Sequence, residues 1–131
     1  MAATNAQRLL IIDDEPDIGA RVVAIATGLG IEARAVSNQY EFKYVYNFFK
    51  PTIVCLDVEM TGAGAIPLIT WIKDVPATPS PKVILTAERP EILRTAKSLA
   101  EYVGLTVVAL VETPAAPEAL HEVLASAVLE R

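Results

Sequence analysis

The chain has 131 residues, 53% of them hydrophobic, and a net charge of −5 from 11 basic and 16 acidic side chains. That length fits one domain with one core, and an acidic domain with no basic block is a poor nucleic-acid binder by itself. No apolar run reaches the roughly 20 residues of a membrane span, Met1 to Gln7 lack the charged-then-apolar layout of a signal peptide, and the single cysteine, Cys55, excludes an internal disulfide framework. A soluble, cytoplasmic domain spanning residues 1–131, with Cys55 as a buried and inert thiol, is expected.

Strand-like apolar runs alternate with helical patterns five times. Arg8 to Ile12 reads as the first strand. Pro16 opens a helix through Ile18, Val22, Val23 and Ile25, because its missing N–H costs nothing in a first turn. Gly28 or Gly30 ends that helix. Ile31 to Val36 is a shorter strand, followed by Ser37 or Asn38 as a helix N-cap. Tyr40 to Phe49 fits both periods, but Phe42, Val45, Tyr46 and Phe49 share one helical face, and Asn38 before it with Pro51 after it favours a helix. Thr52 to Asp57 is the third strand. Thr61-Gly62-Ala63-Gly64 reads as a flexible turn, and Ala65 to Lys73 as a helix. Pro76, Pro79 and Pro81 predict a stiff connection. Lys82 to Thr86 is the fourth strand. Pro90 opens a helix with Ile92, Leu93, Ala96, Leu99 and Ala100 on one face, stopped by Gly104. Leu105 to Val111 is the fifth strand. Pro114 and Pro117 precede a last helix, in which Leu120, Val123, Leu124 and Leu129 are expected in the core.

Near-continuous apolar strands suit a sheet buried on both faces. Alternation of strand and helix predicts a parallel sheet with right-handed crossovers. The expected architecture is a doubly wound, five-stranded α/β fold.

In such a sheet, ligands bind outside the carboxyl ends of the strands. Asp13 and Asp14 follow the first strand, Asp57 ends the third, and Thr86 ends the fourth. Three acids therefore meet in one crevice beside a hydroxyl, and hard oxygen ligands of this kind suit Mg²⁺. A carboxylate can attack a phosphoryl group to give an aspartyl phosphate, with a metal offsetting the charge of the incoming oxygens. Asp13 and Asp14 can hold the metal while Asp57 attacks and Thr86 hydrogen-bonds the phosphoryl.

Ile12-Asp13-Asp14-Glu15-Pro16, then Leu56-Asp57-Val58-Glu59-Met60 with Gly62 following, then Leu85-Thr86-Ala87, resemble the receiver domain of two-component response regulators, in order and over nearly the whole chain. The resemblance implies a flavodoxin-like sheet of strand order 2-1-3-4-5. It implies Asp57 as phosphoacceptor, with Mg²⁺ held by Asp13, Asp14, Asp57 and the backbone carbonyl of Glu59. Thr86 would be the switch hydroxyl and Ala87 would border the phosphoryl. A histidine kinase or phosphotransfer protein would be the donor. A downstream protein, or a second copy, would meet the face formed by the fourth helix, fifth strand and fifth helix. Neither nucleic acid nor membrane would be contacted directly. A weaker similarity, in the fourth helix and Gly104 to Glu112, is to receivers found beside cyclic-di-GMP phosphodiesterase (EAL) domains.

The chain departs from that family where receivers carry a lysine before the proline after strand five. Thr113 stands there, before Pro114. Opposite charges at about 4 Å interact by about 4 kcal/mol at an effective dielectric of 20, whereas allosteric coupling is typically about 1–3 kcal/mol. Losing the cation is therefore enough to impair switching. Leu110 replaces an aromatic that swings inward in many receivers, and Thr61 replaces the usual proline. Arg89, near the same rim, reads as a solvated residue before a helix in preference to a substitute cation. Glu59 and Glu88 are expected to raise dependence on the divalent ion. The resemblance implies a cis Thr113-Pro114 bond, as the family's Lys-Pro bond is; the sequence itself leaves this open, and trans is the default for X–Pro bonds.

Taken singly, Asp13 to Pro16 could be a helix N-cap, and Thr86 a cap for the helix at Pro90. Their matching places at strand ends favour the acidic crevice. Tyr40, Tyr44 and Phe48 form a second stripe, either partly buried or a docking surface. His121 reads as solvated and Trp71 as packing. Two functions compete: a phosphorylatable receiver, and a pseudo-receiver that docks a protein whatever its phosphorylation state. An enzyme is a third reading, since Asp57-Val58-Glu59-Met60-Thr61 faintly resembles the nucleophile loop of haloacid-dehalogenase phosphatases. In that family, however, the nucleophile follows the first strand. No catalytic turnover beyond self-phosphorylation and self-dephosphorylation is expected.

Overall fold

A computed structural model of the chain describes residues 6–60, 65–75 and 80–129. The expected turn at 61–64 and the prolines Pro76 and Pro79 lie outside the described residues. The order of elements is β1 (Arg8–Ile12), α1 (Pro16–Gly28), β2 (Glu32–Val36), α2 (Gln39–Phe49), β3 (Ile53–Asp57), α3 (Ile66–Asp74), β4 (Lys82–Ala87), α4 (Pro90–Tyr102), β5 (Thr106–Glu112) and α5 (Pro117–Leu129). All strand pairs are parallel and the sheet runs β2-β1-β3-β4-β5.

The two-residue period of the strands divides the core in two. Leu10, Ile12, Val54, Leu56, Val83 and Leu85 face α2, α3 and α4. Leu9, Ile11, Ile53, Cys55 and Ile84 face α1 and α5, which supply Val22, Ala26, Leu124 and Ala127. Both faces are covered, so the central strands can be apolar throughout.

The helix boundaries have local causes. Asn38 caps α2 by accepting from the Glu41 N–H at 2.9 Å, while the Glu41 carboxylate accepts from Ser37 N–H at 3.1 Å. This reciprocal arrangement satisfies donors that the helix itself cannot. It settles the two-way reading of Tyr40 to Phe49 as helix, with Phe42, Tyr46 and Phe49 buried. α1 and α4 end alike. Gly30 (φ 80°) and Gly104 (φ 97°) take the left-handed conformation. The next N–H groups, of Ile31 and Leu105, then reach back to Ala26 and Ala100 at 2.9 Å. That is a Schellman closure, with an apolar residue buried just past each glycine.

One core expectation fails. Leu129 is 77% exposed. The buried stripe of α5 passes through Leu124 and Ala127, and a residue five positions after Leu124 is turned about 140° away on a 3.6-residue helix. Leu120 and Val123 pack partly buried against the core as expected.

Candidate functional site

The strand alternation that sorts the core also aims the polar residues. Asp13 is two residues past Ile11, Asp57 two past Cys55, and Thr86 two past Ile84, so all three follow the α1/α5 face of the sheet at its carboxyl edge. Asp57 and Thr86 are register partners of β3 and β4. The edge is stitched by backbone hydrogen bonds: Asp13 N–H to Val36 O at 3.2 Å, Val58 N–H to Thr86 O at 3.0 Å, and Thr113 N–H to Ala87 O at 2.9 Å.

Asp13, Asp14 and Asp57 each place a carboxylate oxygen within 4.8 Å of the others. Asp13 and Asp57 are held the same way. Each accepts a hydrogen bond from the backbone N–H two residues on, Glu15 at 2.9 Å and Glu59 at 3.0 Å, which fixes the side chain at the mouth of its own loop. Asp13 and Thr86 are the two buried polar side chains among the described residues, 5% and 7% exposed.

Crowding of like charges shapes the electrostatics. Burial pushes the Asp57 carboxyl up to about 6, against the lowering effect of its Glu59 hydrogen bond, and the charges of Asp13 and Asp14 add to the rise. Burial likewise raises Asp13. A site that resists full ionisation by its own carboxylates is suited to a divalent cation. The donors are hard oxygens, in mixed burial that leaves Asp14 exposed. They fit Mg²⁺.

Cys55 lies beneath the acids, and burial foremost, with Asp13 and Asp57 adding, pushes its thiol up to about 12. This agrees with an inert thiol. Thr86 caps no helix: the N-cap of α4 is Arg89, with no side-chain capping bond. Thr113 is half-buried and the Thr113-Pro114 bond is cis. Leu110 lies on β5 and is exposed. His121 is exposed. Trp71 packs edge-on against Phe42 and Tyr46.

Two features escape the sequence reading. Arg89 is neither simply solvated nor turned to the acids: its Nε is 2.7 Å from Glu59 Oε2. Glu59 also accepts from the Glu88 N–H, and the Arg89 hydrogen bond holds its carboxyl below the usual range. The available signal was an acid two residues past Asp57 and a base three past Thr86, on neighbouring strand ends. The other is a cleft between α1 and α5 that opens on Asp13, Thr86 and Thr113. Side chains from six elements and loops make it, and no local pattern announces it. The stripe Tyr40, Tyr44 and Phe48 is exposed by 86%, 73% and 53%.

Neither a protein-family model nor a curated relative matches the sequence. Solved structures do match. A response regulator from Colwellia psychrerythraea superposes with a TM-score of 0.81 at 22% identity, over 96% of this chain and 100% of that one. The receiver domain of NtrX from Brucella abortus gives 0.76 at 24%, over 94% and 99%. The chemotaxis response regulator CheY4 of Vibrio cholerae gives 0.78 at 15%, over 94% and 99%. The chain therefore has the fold of response regulator receiver domains. No helix among the described residues is long and apolar enough to cross a membrane.

Proposed function

We propose that residues 1–131 form a single receiver domain that accepts a phosphoryl group on Asp57 in two-component signal transduction. The observation that carries this reading is the meeting of Asp13, Asp14 and Asp57 within 4.8 Å at the carboxyl edge of a receiver fold. Asp13, Asp14, Asp57 and the Glu59 backbone carbonyl would hold Mg²⁺. When bound, the ion supplies positive charge to the phosphoryl oxygens.

The protein residues do the rest. An Asp57 carboxylate oxygen attacks phosphorus, the bond from phosphorus to the donor breaks, and the donor leaves with the electron pair. The Glu59 N–H, 3.0 Å from Asp57 Oδ1, fixes which oxygen stays hydrogen-bonded and leaves the other to attack. Thr86, the register partner of Asp57, offers its hydroxyl to the transferred group, beside the Ala87 backbone. The donor is a histidine kinase or phosphotransfer protein. The output partner meets the face of α4, β5 and α5. A net charge of −5 favours a protein over nucleic acid as that partner. The setting is cytoplasmic.

Thr113 supplies a hydroxyl but no charge, and Leu110 cannot pair an aromatic rotation with Thr86. Conventional switching is accordingly impaired. This supports a second reading, a pseudo-receiver that docks a protein irrespective of phosphorylation, and the exposed stripe of α2 favours it. Intact mass after incubation with acetyl phosphate and Mg²⁺, beside Asp57→Asn, separates the two. One phosphoryl adduct in the wild type alone supports the acceptor. No adduct, from this donor or a phosphohistidine donor, supports the docking module.

A further inference from the structure

The cleft between α1 and α5 has the make-up of a small-ligand site: apolar walls with a few polar groups converging at one end. Its cavity volume is about 50 Å³, and it is open to solvent on one side. Ile18 and Val22 of α1 and Val123 and Leu124 of α5 form opposing walls, the sheet is the floor, and Asp13 and Thr86 line it at the carboxyl edge of the sheet. The exposed Arg21 contributes at the rim.

The cleft is negative in character at that edge. The charges acting on Asp13 are those of Asp14 and Glu15, both acidic. The ion pairs Arg89–Glu59 and Lys97–Glu101 involve neither Asp13 nor Asp57. Thr86 is nine-tenths buried, and its hydroxyl enters no hydrogen bond among the described residues. A buried carboxylate favours a charged hydrogen-bonding partner. The apolar walls favour a hydrocarbon beside it, and the charge complementarity selects a cation.

We propose that this cleft binds a short-chain primary alkylammonium ion, its ammonium against the Asp13 carboxylate and the Thr86 hydroxyl, its chain between α1 and α5. An ammonium offers three donors on one compact head, which suits two acceptors at one edge of an apolar cleft. The inference is independent of phosphoryl transfer: it needs neither metal nor phosphodonor, so its failure would leave the receiver reading untouched.

The test is a methyl NMR titration of the full chain, without divalent ions, using butylammonium and, as a neutral ligand of the same shape, 1-butanol. Saturable shifts are expected at Ile11, Val22 and Leu124, with dissociation constants on the order of millimolar for so small a ligand. Butanol should bind at least about tenfold more weakly. Each methylene from ethyl- to butylammonium should tighten binding by about fourfold. Asp13→Asn should abolish the preference for the cation. The ligand series stands by itself if that variant fails to fold. Absence of saturable shifts at the cleft methyls, equal binding of butanol, or no dependence on chain length would overturn the proposal, as would a folded Asp13→Asn variant that kept the preference.

Discussion

Arg89 Nε lies 2.7 Å from Glu59 Oε2 and ties the loop after β3 to the first turn of α4. The pair spans the rim of the acidic crevice. It neutralises the acid nearest to Asp57 in sequence and occupies the cation that would otherwise be free to face the crevice. The arginine is 63% exposed, and such pairs add little to stability. Its effect is on the field at the rim. Arg89→Gln frees the Glu59 charge, so Mg²⁺ should bind a few-fold more tightly, and the gain should shrink as salt rises from about 0.05 to 0.5 M. Calorimetric titration at both ionic strengths checks this. Equal affinity in variant and wild type would remove Glu59 from the electrostatics of the site.

Asp57 makes stability depend on pH. Its carboxyl is pushed from 3.8 to about 6 in the folded protein, chiefly by burial. Below the unfolded value both states hold the proton and nothing is lost. As pH rises toward about 6 the unfolded chain releases its proton first, so folding loses free energy, and the loss is complete above that value. Discounted for partial exposure, it is on the order of 2 kcal/mol. Asp57→Asn should therefore raise the melting temperature by several degrees at pH 7.5, without divalent ions, and by much less at pH 4. Millimolar Mg²⁺ should narrow the gap at pH 7.5 by stabilising the wild type. Melting curves at the two pH values test both parts.

The parallel sheet was legible because its cues are local and redundant, while its strand order came only from the resemblance to receivers. Ile53 to Leu56 is apolar throughout, as a strand covered on both faces must be, and Pro16 and Pro90 mark helix starts that the fold uses. The acids were legible for the same reason, since Ile11–Asp13 and Cys55–Asp57 carry one alternation into the crevice. What stayed hidden depends on pairing across the fold. Glu59 and Arg89 are 30 residues apart. Tyr40 to Phe49 fitted two periods until Asn38 and Glu41 closed a cap. Leu129 continued the apolar composition of α5 but not its angular stripe. The cis bond at Pro114 leaves no mark in composition and was open to expectation only through the resemblance.

Cys55 should be a probe of opening. Its thiol is buried and pushed up to about 12, so thiolate is negligible at pH 8 in the folded state. Iodoacetamide should label it only as fast as the sheet opens, with labelling rising steeply across the denaturant transition. Labelling of the native protein at the rate of a free thiol would contradict the packing of β3.

The Tyr46 hydroxyl is buried without a hydrogen-bond partner among the described residues. Its ring packs against Phe42 and Trp71. Tyr46→Phe keeps the ring contacts and removes a desolvated polar group, so stability should be unchanged or rise by up to about 1 kcal/mol. Urea unfolding checks this. A loss above about 1 kcal/mol would mean that the hydroxyl is satisfied in solution.

The central claim is that Asp57, among three crowded acids, is the one that takes the phosphoryl group. Acyl phosphates are reduced by borohydride to the alcohol, which converts a phosphorylated aspartate to homoserine. The measurement is peptide mass mapping after acetyl phosphate, Mg²⁺ and borohydride treatment of the wild-type chain. Homoserine at position 57, with Asp13 and Asp14 intact, is the predicted result. Homoserine at 13 or 14, or a chain with Mg²⁺ bound that neither acetyl phosphate nor a phosphohistidine donor modifies, would contradict it.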